Sequence, residues 1–178
     1  MGKEMEKSDI EILKSELKQN IYRKVYLFYG PEEYLIKHYI KEIESFLVKP
    51  DFKSLNSIYT EGAIDSNKLI EICQTYPVFS EKKVVVAKNT GLFKSKAGGG
   101  SKQTDTNLIS FLGSGFEHTC LIFFEEEVDK RLKLVEAVKK NGLIVEFPFQ
   151  KPADLAKWVI KVMASYKKVM DVETASYL

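Results

Sequence analysis

Cysteine is nearly missing from this chain: its 178 residues hold two, Cys73 and Cys120. They lie far apart without metal-ligand spacing, and two thiols cannot build a disulfide framework, so reduced, buried side chains are expected. The only histidines, His38 and His118, stand beside no cysteine or serine in a recognisable triad order, which leaves nucleophilic catalysis without support. Both read as bystanders, His38 on the outer side of a helix and His118 just ahead of a strand. Long apolar runs are lacking too. None approaches the roughly 18 residues of a membrane span, and residues 1–6 lack the apolar segment of a signal peptide, so a cytoplasmic protein away from membranes is expected. The net charge of +2 is too small to advertise nucleic-acid binding. The basic runs Lys130-Arg131 with Lys133, and Lys139-Lys140, read as a solvated helix face.

At 44% hydrophobic and 29% charged, the chain has an ordinary globular composition, long enough for one well-buried core and a small appendage. Five short apolar segments predict strands, at 25–29, 57–60, 83–87, 120–124 and 143–147. Helical spacing predicts a helix over 33–48, with Leu35, Ile36, Tyr39, Ile40, Ile43, Phe46 and Leu47 on one stripe. A second covers 67–75, capped by Asp65, carrying Leu69, Ile70 and Ile72 inward and ended by Pro77. A short helix capped by Asp105 or Thr106 runs through Leu112, and another covers 130–140 with Gly142 as its C-cap. Residues 8–20 carry Ile10, Ile12, Leu13 and Leu17 on a further stripe. Residues 94–106, with Gly98-Gly99-Gly100, predict a mobile loop. Strands separated by helices argue for an α/β fold, a five-stranded parallel sheet with helices on both faces. After Pro148, residues 153–169 predict a helix with Leu155, Trp158, Val159, Val162 and Met163 on one stripe, and 171–178 start another. That appendage is too short to bury its stripe alone, and reads as the front of a domain truncated at Leu178.

The first strand, its Gly turn and its helix form a phosphate loop with its chemistry missing. A P-loop opening at Gly30 needs Gly at 35, Lys at 36 and Ser or Thr at 37. Here those positions hold Leu35, Ile36 and Lys37. A leucine fills space where bare backbone must approach phosphates, no hydroxyl is placed for magnesium, and the lysine is out of step.

The order strand, Gly turn, helix, four more strands and a small helical domain is that of the AAA+ module. Within it the chain resembles the δ subunit family of the bacterial DNA polymerase III clamp loader. The stretches that carry the resemblance are Val25-Tyr-Leu-Phe-Tyr-Gly-Pro-Glu-Glu-Tyr-Leu-Ile36, Tyr76-Pro-Val-Phe-Ser-Glu-Lys-Lys-Val-Val-Val-Ala-Lys-Asn89, Asp129-Lys-Arg-Leu-Lys-Leu134 and Leu155-Ala-Lys-Trp-Val159. The resemblance implies an N-terminal helical extension over 1–22, an AAA+-like α/β domain over 23–148, the start of a helical lid domain over 149–178, and a C-terminal collar domain absent from this chain. It also implies a nucleotide site that has lost its function. Where a Walker B strand would deliver acids to magnesium the chain has Lys88 and Asn89, and a cation there repels the metal. Glu125-Glu126-Glu127 falls at the sensor position and reads as a solvated acidic loop end rather than a metal cluster.

By the same resemblance, Gln74-Thr-Tyr-Pro-Val-Phe79 is similar to the peptide with which bacterial proteins bind the sliding clamp. Val78 and Phe79 are apolar anchors on a turn stiffened by Pro77, with Tyr76 beside them and Gln74 at the rim. Val78 stands where the family more commonly has Leu. The implied partners are the β sliding clamp, the τ/γ and δ′ subunits, and primer-template DNA through the assembled loader. The implied activity is clamp opening within the DNA polymerase III holoenzyme, a DNA-directed DNA polymerase (nucleotidyltransferase), with no cofactor, metal or catalysis of its own. A blander reading has Val78 and Phe79 stapling the helix to the sheet. Two rival functions are an AAA+ or P-loop ATPase with an irregular site, and a helicase-accessory domain stacking single-stranded DNA on Tyr26, Phe28 and Tyr29. Those three aromatics, like Trp158, read better as core.

Overall fold

The apolar runs become five parallel strands. β1 (Val25–Tyr29), β2 (Ser57–Glu61), β3 (Lys83–Lys88), β4 (Thr119–Glu125) and β5 (Leu143–Glu146) form one sheet in the order β2-β3-β4-β1-β5. All four pairings are parallel, with Val25 opposite Leu121 and Tyr26 opposite Leu143. The computed structural model describes residues 8–94, 102–114 and 116–149, together with 159–160, 163–164, 167–172 and 174.

Side chains alternate across a strand, so the inner strands β1, β3 and β4 each feed two cores. Tyr26, Phe28, Val84, Val86, Ile122 and Phe124 pack against α1 (Asp9–Lys18) and α2 (Glu33–Leu47). Val25, Leu27, Val85, Ala87, Leu121 and Phe123 pack against α4 (Ser66–Gln74), α5 (Lys102–Gly113) and α6 (Lys133–Asn141). Strands covered on both faces read as unbroken apolar runs, which is why β1 and β4 are buried along their whole length. The two cysteines lie in different cores, Cys73 on the inner face of α4 and Cys120 on the α2 side, and both are free. Burial pushes the Cys73 thiol up to about 12 and raises that of Cys120 as well.

Local chemistry sets the helix starts. Ser8 and Glu11 form a reciprocal capping box on α1, and Asp65 accepts the Asn67 and Lys68 amides at the start of α4. Between α2 and β2, a 3-10 turn (Pro50–Phe52) leads into the short α3 (Lys53–Asn56).

The structure corrects several expectations. α5 begins at Lys102, so residues 102–106 are helical rather than loop, and Asp105 and Thr106 lie inside the helix instead of capping it. Its downstream face, Leu108, Phe111 and Leu112, is buried in the core, and a helix anchored there propagates upstream at little cost. Residues 95–101 lie outside the described residues. α6 begins at Lys133 because the Asp129 carboxylate holds Arg131 in a turn, accepting its main-chain N–H at 3.1 Å and its guanidinium at 2.9 Å. Phe46 is 53% exposed and stacks on Tyr22, with ring centres 4.1 Å apart. On another side of α2 Glu44 is buried, its carboxylate meeting Lys53 at 2.5 Å and the Tyr59 hydroxyl at 2.9 Å. Gly142 closes α6 in extended backbone, φ −156°, and its need is spatial: a Cβ there would collide with the Val25 carbonyl.

The chain divides into two compact units, Met1–Phe147 and Pro148–Leu178. In the second, the described pairs 159–160 and 163–164 are helical. Leu155, Trp158 and Val162 lie outside the described residues.

Candidate functional site

The Gly30 turn lies at the carboxyl edge of the sheet, between the end of β1 and α2. Gly30 has φ +125°, and an added Cβ would run into the Phe147 carbonyl. Its N–H donates to the Glu125 carbonyl at 3.2 Å, and the Glu32 N–H donates to the Phe147 carbonyl at 3.2 Å. These amides are thus engaged by neighbouring strands, whereas a phosphate loop turns its amides toward an anion. Leu35 is half-buried and Ile36 fully buried against the sheet. Lys37 points along the helix and pairs with Glu33 at 2.5 Å.

Lys88 ends β3 beside that turn. Its ammonium lies 3.1 Å from Glu61 and 3.7 Å from Glu33, and 5.2 Å from the centre of the Phe124 ring. Hydrogen bonding to Glu61 first, with the charge of Glu33 added, raises its pKa and holds the positive charge in place. Asn89 follows at φ +51°, donating its N–H to the Phe124 carbonyl at 2.9 Å. A pocket of about 310 Å³ opens beside Lys88, floored by Ile40, Val86 and Phe124 and rimmed by Lys37, Lys41 and Glu61. Among the described residues no cluster of three or more His, Cys, Asp or Glu side chains is arranged to hold a metal ion, and no helix is long and apolar enough to cross a membrane.

Glu125 departs from the solvated acidic end expected of it. It is fully buried, with Oε1 accepting the Thr90 N–H at 2.9 Å and the Thr90 hydroxyl at 2.5 Å, while Glu126 and Glu127 are exposed. Burial raises its pKa, the two bonds from Thr90 opposing.

At the other edge of the sheet, residues 74–79 leave α4 and lead toward the start of β3. Gln74 ends the helix and is exposed, and Pro77 is half-buried. Tyr76 and Phe79 are each 81% exposed and Val78 42%. Phe79 sits at φ +50°, a conformation few residues other than glycine adopt. Among the described residues its ring meets Phe52, 5.9 Å away, and Tyr76 stacks on His118 at 4.6 Å. A residue stapling helix to sheet would be buried; Phe79 projects outward.

The supports of this loop escape a reading of the sequence. Lys83, expected only to bound a strand, is 1% exposed, and its ammonium donates to the Ile72 and Thr75 carbonyls and to the Thr75 hydroxyl at 2.6 Å. Thr119 donates to the Cys73 carbonyl at 2.8 Å. These bonds satisfy carbonyls that the last turn of α4 leaves without intrahelical partners. Asn56, fully buried at the end of α3, binds the main chain of Val78. Its only sequence signal was a polar residue next to a strand.

A family model described as DNA polymerase III, delta subunit, matches residues 26–148. The chain is 24% identical over 169 residues to DNA polymerase III subunit delta of Bacillus subtilis (strain 168), covering 91% of this chain and 48% of that protein. Among solved structures it resembles the Bacillus subtilis DNA clamp loader delta protein, with a TM-score of 0.71 at 22% identity over 93% of this chain and 50% of the other. It also resembles a DNA polymerase III gamma subunit-related protein from Thermotoga maritima, with a TM-score of 0.52 at 14% identity over 96% and 58%. The chain spans about half the length of the delta proteins it matches.

Proposed function

The chain belongs to the DNA polymerase III delta subunit family, and from that membership we propose that it grips the β sliding clamp through residues 74–79. In this reading Val78 and Phe79 enter an apolar pocket of the clamp, Tyr76 and Pro77 flank them, and Gln74 bonds the rim. Docking springs one clamp interface so that the ring is loaded onto primed DNA. Nucleotide hydrolysis falls to other subunits: the Gly30 turn, Leu35, Ile36, Lys37, Lys88 and Asn89 serve as structural parts of a site that binds no nucleotide. The whole protein works in the cytoplasm with τ/γ and δ′, meets primer-template DNA through the assembled loader, and carries its lid and collar in sequence beyond the α/β domain.

The observation that carries this reading is the presentation of Phe79. A large aromatic 81% exposed at the tip of a proline-stiffened loop is poorly explained by folding, since burying it would gain about 1.5–3 kcal/mol. An aromatic held in water fits a hot spot whose burial is deferred to a complex. Phe79→Ala is expected to weaken binding of the cognate clamp about thirtyfold or more, the loss typical of a hot-spot residue, with thermal stability unchanged. Titration of the clamp by calorimetry tests it; equal affinity for both proteins rules the assignment out.

A further inference from the structure

One buried carboxamide holds the loop that presents Phe79. Asn56 is fully buried where α3 meets β2, and its side chain reaches a segment 22 residues downstream. Its Oδ1 accepts the Val78 N–H at 2.7 Å, and its Nδ2 donates to the Val78 carbonyl at 2.8 Å and to the Phe52 carbonyl at 3.1 Å. Both main-chain groups of Val78 are therefore taken by one side chain, as a neighbouring strand would take them. The next residue, Phe79, stands at φ +50° with its ring against Phe52, whose own carbonyl the same carboxamide holds. A left-handed conformation at a bulky residue persists only where its surroundings over-determine it. Here the surroundings consist of Pro77 before, Asn56 beneath and Phe52 alongside.

We propose that Asn56 is the positioning residue of the docking loop, fixing Val78 so that Phe79 is already presented before a partner arrives. This rests on the reading of residues 74–79 as the docking segment. Asn56 touches no partner; it acts by limiting the conformations that the free loop would lose on docking. It also joins the turn before β2 to the loop before β3, which makes Phe52 the backing of Phe79 and part of the docking surface.

The test compares the wild-type chain with Asn56→Ala and with Asn56→Ser, which keeps a neutral hydroxyl in the site but cannot make all three bonds. Amide hydrogen exchange is followed residue by residue by NMR, and affinity for the cognate β sliding clamp by titration. In Asn56→Ala, exchange at Val78 is expected to accelerate at least about tenfold while the amides of β3 keep their rates, and clamp affinity to fall about tenfold through lost preorganisation. Asn56→Ser is expected to show an intermediate change in both, and it decides the matter if the alanine variant does not fold. A merely structural asparagine would speed exchange across the sheet and leave the affinity of the folded protein alone, and that outcome overturns the proposal. Unchanged exchange at Val78 in Asn56→Ala overturns it too. If the wild-type chain fails to bind the clamp, the docking assignment falls, and the exchange result alone upholds or rejects Asn56 as the residue that fixes the loop.

Discussion

At the scale of single residues, Glu125 is a carboxyl buried at a cost to its charged form. Its Oε1 is doubly bonded by Thr90, while its Oε2 is buried without a hydrogen-bond partner among the described residues. A carboxyl with a raised folded-state pKa binds its proton more tightly when folded than when unfolded. Its favourable contribution is therefore complete below the unfolded value of about 4.3 and lost as pH rises through the folded value. Glu125→Gln carries no such titration and keeps an acceptor for Thr90. Its melting temperature relative to wild type is expected to rise as pH climbs from 4 through the folded-state value of Glu125 and then to level off, which thermal melts across that range measure; a difference independent of pH would show that the buried carboxyl does not titrate as described. Single residues were also where the sequence was hardest to read. Periodicity put Phe46 on the inner stripe of α2, but Tyr22 offers it a partner at the surface, and Glu44 is buried because Lys53 and Tyr59 come to meet its charge. Neither partner is visible from the helix itself.

Elements were far more legible. Uninterrupted apolar runs marked β1, β3 and β4 because each is covered on both faces, and Asp65 marked the start of α4 because its cap is made within the next three residues. What depended on distant partners was not legible: the start of α6 needs Asp129 to hold Arg131, and the loop after α4 needs Asn56 from before β2. The end of α4 shows the same logic in energy. Lys83 reaches from the first position of β3 to the final carbonyls of the helix, and burial lowers its pKa against that service. Lys83→Met keeps most of the volume but takes the ammonium away from the Ile72 and Thr75 carbonyls, leaving Ile72 with the Thr75 hydroxyl at 2.8 Å, at a cost of about 1–3 kcal/mol. Urea denaturation is expected to report that loss, and a variant as stable as wild type would mean that water replaces the ammonium there. The Gly30 turn, read from sequence as a phosphate loop without its chemistry, keeps a glycine for a different reason: the chain leaving β5 passes against it at Phe147.

For the whole molecule, the geometry separates two regions. Gly30, Lys88 and Glu125 gather at the carboxyl edge of the sheet, where open α/β folds commonly place ligands, and residues 74–79 lie at the amino edge, a strand length of roughly 20 Å away. With the Gly30 and Glu32 amides engaged and Lys88 paired, ATP with magnesium is expected to leave the melting temperature unchanged. A ligand at about 100 times its Kd would add about 2.7 kcal/mol, so a shift measured by scanning fluorimetry would expose a working nucleotide site. The sheet order has a further consequence, in time rather than space. β1 lies between β4 and β5, so the strand made first has no partner until about 100 residues later, roughly 5–20 s at ordinary rates of synthesis. Through that interval Val-Tyr-Leu-Phe-Tyr is an uncharged β-former without either of its native neighbours, open to wrong pairing with other nascent chains. Arg23 and Lys24 stand immediately before it and Pro31 just after, where charge and proline oppose such pairing. In the finished fold the Lys24 side chain makes, among the described residues, an exposed ion pair with Glu117, and its main-chain bond to Leu121 survives substitution, so Lys24→Thr is expected to lower the soluble yield on expression while leaving the melting temperature alone. Equal yields would show that this strand reaches its neighbours without a guard.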